Sequence, residues 1–179
     1  MKEHTNTSDN KISGLIKQLK AKDTNYSAIS KRMQLIYWTL CPLYLFIIIM
    51  QIVEHSPSKE IISSFCFLFA MVTFALLFRK YQKEYAEVDY SQPTLLMLKK
   101  AVNRYEPFSS RTIGIIPGIL LVDIGLTIKV SDQTDALLTQ LVFIGAVGIG
   151  LVAGMIWWYI QYKPLRDHAQ QLIDDIESA

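Results

Sequence analysis

"GIIPGILLVDIGLTIKV", residues 114–130, is apolar almost throughout and carries one carboxylate, Asp123. Whether this stretch crosses a membrane decides the fold, because it is one of four of its kind. Residues 33–53, 61–78 and 137–160 contain no Asp, Glu, Lys or Arg, and 112–128 contains Asp123 alone. About 20 apolar residues cross a hydrocarbon core of about 30 Å. The segment 112–130 reaches that length with Lys129 extended to the interface. Helices of soluble bundles carry a polar face, which these stretches lack. Composition agrees: 19% of residues are charged, below the roughly 25% of soluble domains. The expectation is an all-α fold, a four-transmembrane-helix antiparallel bundle with spans 33–53, 61–78, 112–130 and 137–160.

Basic residues set its orientation. Seven of the 18 Lys and Arg lie in the tail 1–32, seven in the loop 79–111 and two in the tail 161–179. The short connections hold only Lys59 and Lys129. The positive-inside rule then places both termini and the long loop in the cytoplasm of a bacterial inner membrane. The tail 1–32 contains no apolar run of signal length, so the first span is expected to be a retained anchor. Tyr37 and Trp38, with Trp157 to Tyr162, fit an interfacial aromatic belt on the cytoplasmic side. Pro42 and Pro117 each remove a helix hydrogen bond, so a bend is expected near each.

Three segments outside the spans are amphipathic. Ile12, Leu15, Ile16 and Leu19 share one helical face, with polar Met1 to Asn10 before them expected to be disordered. "RKYQKEYAEV" extends span two as a helix, "DYSQPT" breaks it with Ser91 placed to cap, and "TLLMLKKAVNRY" restarts one. After Pro164, residues Leu165, Ala169, Leu172, Ile173 and Ile176 form another stripe. The three stripes must be covered by each other, by lipid or by a partner. The organisation is thus a cytoplasmic tail with an amphipathic helix (1–32), a membrane domain (33–160) and a cytoplasmic C-terminal helix (161–179).

Asp123 is the first candidate for function. A mid-membrane carboxylate costs about 2.5–3.5 kcal/mol on insertion scales and faces the bundle interior. At its depth the other spans offer Tyr44, Gln51, Ser63, Ser64, Thr139 and Gln140, and Thr127 shares its face. The cluster Asp123, Thr127, Ser63, Ser64, Gln140 and Tyr44 is either an interhelical hydrogen-bond tie or a proton- or ligand-handling site. Small residues are the second candidates. Gly114, Gly118 and Gly125 in span three, and Ala146, Gly150 and Gly154 in span four, make flat helix-packing stripes. At 100° per residue Asp123 lies about 180° from Gly114 and about 160° from Gly125. With Asp123 inward, the glycines face another neighbour or a second copy, which opens the way to a homo-oligomer.

No catalytic constellation, Walker loop or CxxC motif is present. His4, His55 and His168 lie apart, without metal-ligand spacing. Cys41 and Cys66 differ in depth by roughly 10 Å, too far for a disulfide. The basic loop interleaves Glu84, Glu87, Asp89 and Glu106, which argues against nucleic acid. The expectation is a non-enzymatic protein with no cofactor or metal, whose partners are membrane lipid, a cytoplasmic protein and another copy of itself. It would be a regulator or scaffold. The alternative is a small oligomeric proton-coupled transporter or channel using Asp123.

The stretch "FRKYQKEYAEVDYSQPTLLMLKKAVNRYEPF", Phe78 to Phe108, together with the four-span layout, resembles small uncharacterised bacterial inner-membrane proteins, some encoded beside extracytoplasmic-function sigma factors. That group has no established catalytic residues to carry over. The resemblance implies a regulatory role, such as holding a cytoplasmic partner at the membrane.

Overall fold

The structure, a computed structural model, describes residues 2–106, 113–130 and 133–178. These form six helices and no strands: α1 (Lys2–Val53), α2 (Ser58–Ala86), α3 (Thr94–Arg104), α4 (Ile116–Lys129), α5 (Gln133–Gln161) and α6 (Lys163–Glu177). Three of them are long and apolar enough to cross a membrane, over Ile12–Val53, Ser58–Ala86 and Thr134–Gln161.

α1 is one unbroken helix of 52 residues, about 78 Å at 1.5 Å per residue. No helix end falls at residue 32, where the composition changes from tail to first span, and residues 2–10, expected to be disordered, lie within the helix. Its buried residues explain the continuity. Leu15, Leu19, Asp23, Ser30, Cys41 and Ile48 are buried, and Leu15 to Ile48 spans close to nine turns of 3.6 residues. One straight face therefore serves both the polar and the apolar half. Pro42 lies inside α1 and does not end it, although the Trp38 carbonyl loses its usual donor.

α2 runs back along α1, with Tyr37 stacked on Phe78 at 5.6 Å and Tyr44 against Phe67 at 5.8 Å between ring centroids. It ends at Ala86, and the chain breaks where expected before α3. Ser91 does not cap α3, however. Its N–H and hydroxyl both donate to Asp89, at 2.9 and 2.6 Å, which makes a local Asx turn of the connection. Pro93 takes the cap position instead.

Span three differs most from expectation. α4 has 14 residues, about 21 Å long, and Pro117 sits in its first turn rather than at a bend. A proline lacks the N–H that a first turn does not need, so it starts the helix. Gly114 and Ile115 precede it in a turn. Residues 107–112, which include the expected start of the span at Thr112 and most of the "EPF" break, lie outside the described residues, as do 131 and 132.

The three amphipathic stripes cover each other. Leu15 and Leu19 of α1, Met97, Leu98 and Ala101 of α3, and Leu165, Ala169, Leu172 and Ile173 of α6 form one buried cluster. Full burial of each large aliphatic side chain contributes about 1.5–3 kcal/mol. This cap sits at one end of the apolar helices and shares α1 with them.

Candidate functional site

Two polar clusters lie within the helices, one in the apolar region and one in the cap. In the apolar region the glycine face of α4 turns onto α2. A Cβ on Gly118 would lie 2.6 Å from the Phe74 ring, and one on Gly125 would lie 3.2 Å from Cys66 Cβ and 3.3 Å from the Ser63 carbonyl oxygen. The buried Ser63 hydroxyl donates to the Gly125 carbonyl at 2.7 Å. Of the two expected recipients of the glycine face, another neighbour or a second copy, Gly118 and Gly125 meet a neighbour, α2. Close backbone approach needs the small face, and the small face therefore points inward. Gly114, in the turn before α4, shares no helical stripe with them.

Asp123, about 160° away around the helix, consequently turns from α2 and its serines. Thr127 donates to the Asp123 main-chain carbonyl at 2.9 Å, and the Gln140 amide donates to Thr127 at 3.5 Å. Among the described residues no hydrogen bond joins the carboxylate to Ser63, Ser64, Thr127, Gln140 or Tyr44. Asp123 Oδ1 and Gln51 Oε1 are buried and have no hydrogen-bond partner among the described residues. Ser64 is buried, and Tyr44 packs on Phe67 between α1 and α2. On α5, Gly150 and Gly154 have nothing within 4 Å of where a Cβ would stand, and Ala146 is exposed.

The cap cluster is the better-built of the two. Asp23 of α1 is 1% exposed. Arg104, at the end of α3, places Nη1 2.7 Å from Asp23 Oδ2, with both side chains buried. The Tyr105 hydroxyl donates to Oδ1 at 2.5 Å, and the Tyr90 hydroxyl donates to Oδ2. Trp158, near the end of α5, donates its indole N–H to the Tyr105 carbonyl at 2.7 Å. Tyr162 stacks on Tyr105 at 5.5 Å. One carboxylate thus joins α1 to α3 and its preceding loop, and Tyr105 passes the connection on to the end of α5.

Burial pushes the Tyr90 and Tyr105 phenols well above the ordinary tyrosine range, and the Asp23 charge pushes them further. Both oxygens of Asp23 accept hydrogen bonds, from three donors in all. The arrangement ties α1, α3 and the loop before α3 together through one side chain. A cleft of about 250 Å³ opens beside it, lined by Glu84, Glu87, Asp89, Lys100 and Arg104 among others.

Sequence reasoning missed Asp23, Tyr90, Arg104 and Tyr105. A signal was present: Asp23 stands four residues after Leu19 and three before Tyr26, on the apolar stripe itself. An acid on a buried stripe calls for a buried partner. Among the described residues no group of three His, Cys, Asp or Glu side chains is placed to hold a metal. Comparison with protein-family models, curated proteins and solved structures finds no match to this chain.

Proposed function

We propose that this is a non-enzymatic multi-pass protein of the bacterial inner membrane, with four crossings and both termini cytoplasmic, that acts as a regulator or scaffold for a cytoplasmic protein. The observation that carries the regulatory reading is the continuity of α1 from the cap core to Val53. Any displacement of the cap is passed along a rigid rod to the far side of the membrane, and the reverse.

Helix contacts support four crossings. The ends of α2 and α5 both reach the cap half of α1: Tyr85 lies 4.4 Å from Tyr26, and Lys22 donates to Gln161. α5 runs its full length towards the cap, so a return of the chain to the far end before it fits the reading, with the 14-residue α4 as part of that return. Its Gly118 and Gly125 meet Phe74 and then Cys66, so it runs antiparallel to α2. The basic-residue asymmetry supports a cytoplasmic cap.

Leu98 and Leu172 are core, so a partner would use the outer face of the cap, where Leu96 and Ile176 are 46% and 39% exposed. The test is crosslinked co-purification from cells with the wild type and a Leu96→Glu/Ile176→Glu variant. A specific cytoplasmic protein should be recovered with the former and lost with the latter. Recovery of none, or equal recovery, contradicts the scaffold role.

The transport alternative draws on one observation, the buried Oδ1 of Asp123, which has no partner among the described residues. An oligomeric proton pathway through it requires that reconstituted Asp123→Asn protein lose pH-dependent flux. Unchanged flux removes that alternative.

A further inference from the structure

At the junction of cap and apolar region, α1 and α2 present an uncompensated band of positive charge. Ser27 donates to the Gln82 carbonyl on the cap side at 3.2 Å, and Tyr37 stacks on Phe78 on the apolar side. Between these two contacts lie Lys31 and Arg32 of α1 and Arg79 and Lys80 of α2, all four exposed. They are the last charges before the apolar stretches 33–53 and 61–78 begin. No acid occurs on α1 after Asp23, nor on α2 between Glu60 and Glu84. Asp23 is already consumed by Arg104 and two tyrosines. Among the described residues none of the four cations has an ion-pair partner.

Two of the four share one flank. Lys31 follows buried Ser30, which lies on the α2-facing side of α1, and Arg79 follows Phe78, which faces α1. Each is rotated about 100° onward from its contact residue. Because the helices are antiparallel, these two rotations turn to the same side of the pair. α4 occupies the other side, reached through Cys66 and Phe74. On this flank, which no described helix covers, Trp38, two turns below Lys31 and 42% exposed, offers an indole at the depth where headgroups meet chains.

We propose that Lys31 and Arg79 bind the phosphate of an anionic phospholipid of the leaflet facing the cap, with its chains along the open α1–α2 groove past Trp38 and with Arg32 and Lys80 on the outer flanks. The proposal rests on the membrane-spanning reading above. Charge complementarity selects the lipid. Each basic residue near an anionic surface is worth about 1 kcal/mol, and two converging on one phosphate make a local preference rather than a general attraction.

Native mass spectrometry of the detergent-solubilised protein, titrated with phosphatidylglycerol or phosphatidylcholine, tests this. The wild type should retain phosphatidylglycerol preferentially, and Lys31→Gln/Arg79→Gln should lose roughly tenfold or more of that preference. Lys31→Arg/Arg79→Lys should keep it, as should Lys59→Gln at the opposite end. Equal retention of the two lipids by the wild type, or an undiminished preference in the double Gln variant, overturns the site and leaves those cations a topology signal. Displacement of the bound lipid by inorganic phosphate also overturns it, in favour of a free anion. Release of the protein from membranes by alkaline carbonate would instead defeat the membrane reading itself.

Discussion

Asp23 and Arg104 meet at 2.7 Å across 81 residues of sequence, each nearly excluded from solvent. This pair fixes the register of α3 against α1 more than it adds stability, because desolvating two charges offsets much of their attraction. Removing one partner is a different matter. Asp23→Ala leaves a buried guanidinium and two phenols without an acceptor and should cost about 3–5 kcal/mol. Hydrogen exchange in micelles should show loss of protection in α3 and α6, while α2 and α5 stay protected. An apolar pair, Asp23→Leu with Arg104→Met, should recover much of the loss.

Tyr90 and Tyr105 give the cap an alkaline limit. Their native pKa values lie above the ordinary tyrosine value, whereas in the unfolded chain they titrate near about 10. Above about pH 10 the unfolded state therefore binds fewer protons than the native one, and stability falls as pH rises. Below that range their contribution is fully present and does not vary. Phenolate absorbance should show these two tyrosines ionising only together with loss of cap helicity. Tyr105→Phe should remove part of that linkage.

The two glycine stripes should respond oppositely. Gly125→Val places carbon against the Ser63 carbonyl and Cys66, already within 3.3 Å of a Cβ, and should cost about 1–3 kcal/mol by overpacking. Gly150→Val meets open space and should leave the thermal midpoint of the purified monomer unchanged. Thermal unfolding of both variants in detergent checks the contrast.

Leu98→Ala should destabilise the cap by about 2–5 kcal/mol, the usual range for a large core aliphatic. Leu98 is 0% exposed at the centre of the cap cluster. Leu96→Ala, two residues away and 46% exposed, should change stability little. Chemical denaturation followed by Trp158 fluorescence separates the two.

The apolar helices were legible because charge-free stretches of that length have few other uses. The cap helices were legible from their 3.6-residue stripes. Two features were not. The apolar spacing Leu15, Leu19, Tyr26 continues in phase through Tyr37, Cys41, Tyr44 and Ile48, which marks one helix. The change from polar to apolar composition at Arg32 concealed it, since composition shifts where the solvent changes and not where a helix ends. The rotation of α4 was not legible because the sequence offers both a carboxylate and a glycine stripe for the inner face, and the helix alone does not show which of them meets α2. In the structure the close approach of Gly125 to Ser63 decides the rotation, and the carboxylate follows.

A single rod, α1, joining the cap to the far side of the membrane fixes the distance between its two halves. Spin labels at Lys20→Cys and Ile49→Cys, in a Cys41→Ala/Cys66→Ala background, would lie 29 residues apart on one helix. Pulsed electron resonance in nanodiscs should then give one narrow distance of about 43 Å, at 1.5 Å per residue. A broad distribution, or a distance below about 35 Å, would mean that the helix breaks near the membrane surface, and it would contradict the coupling of cap to membrane.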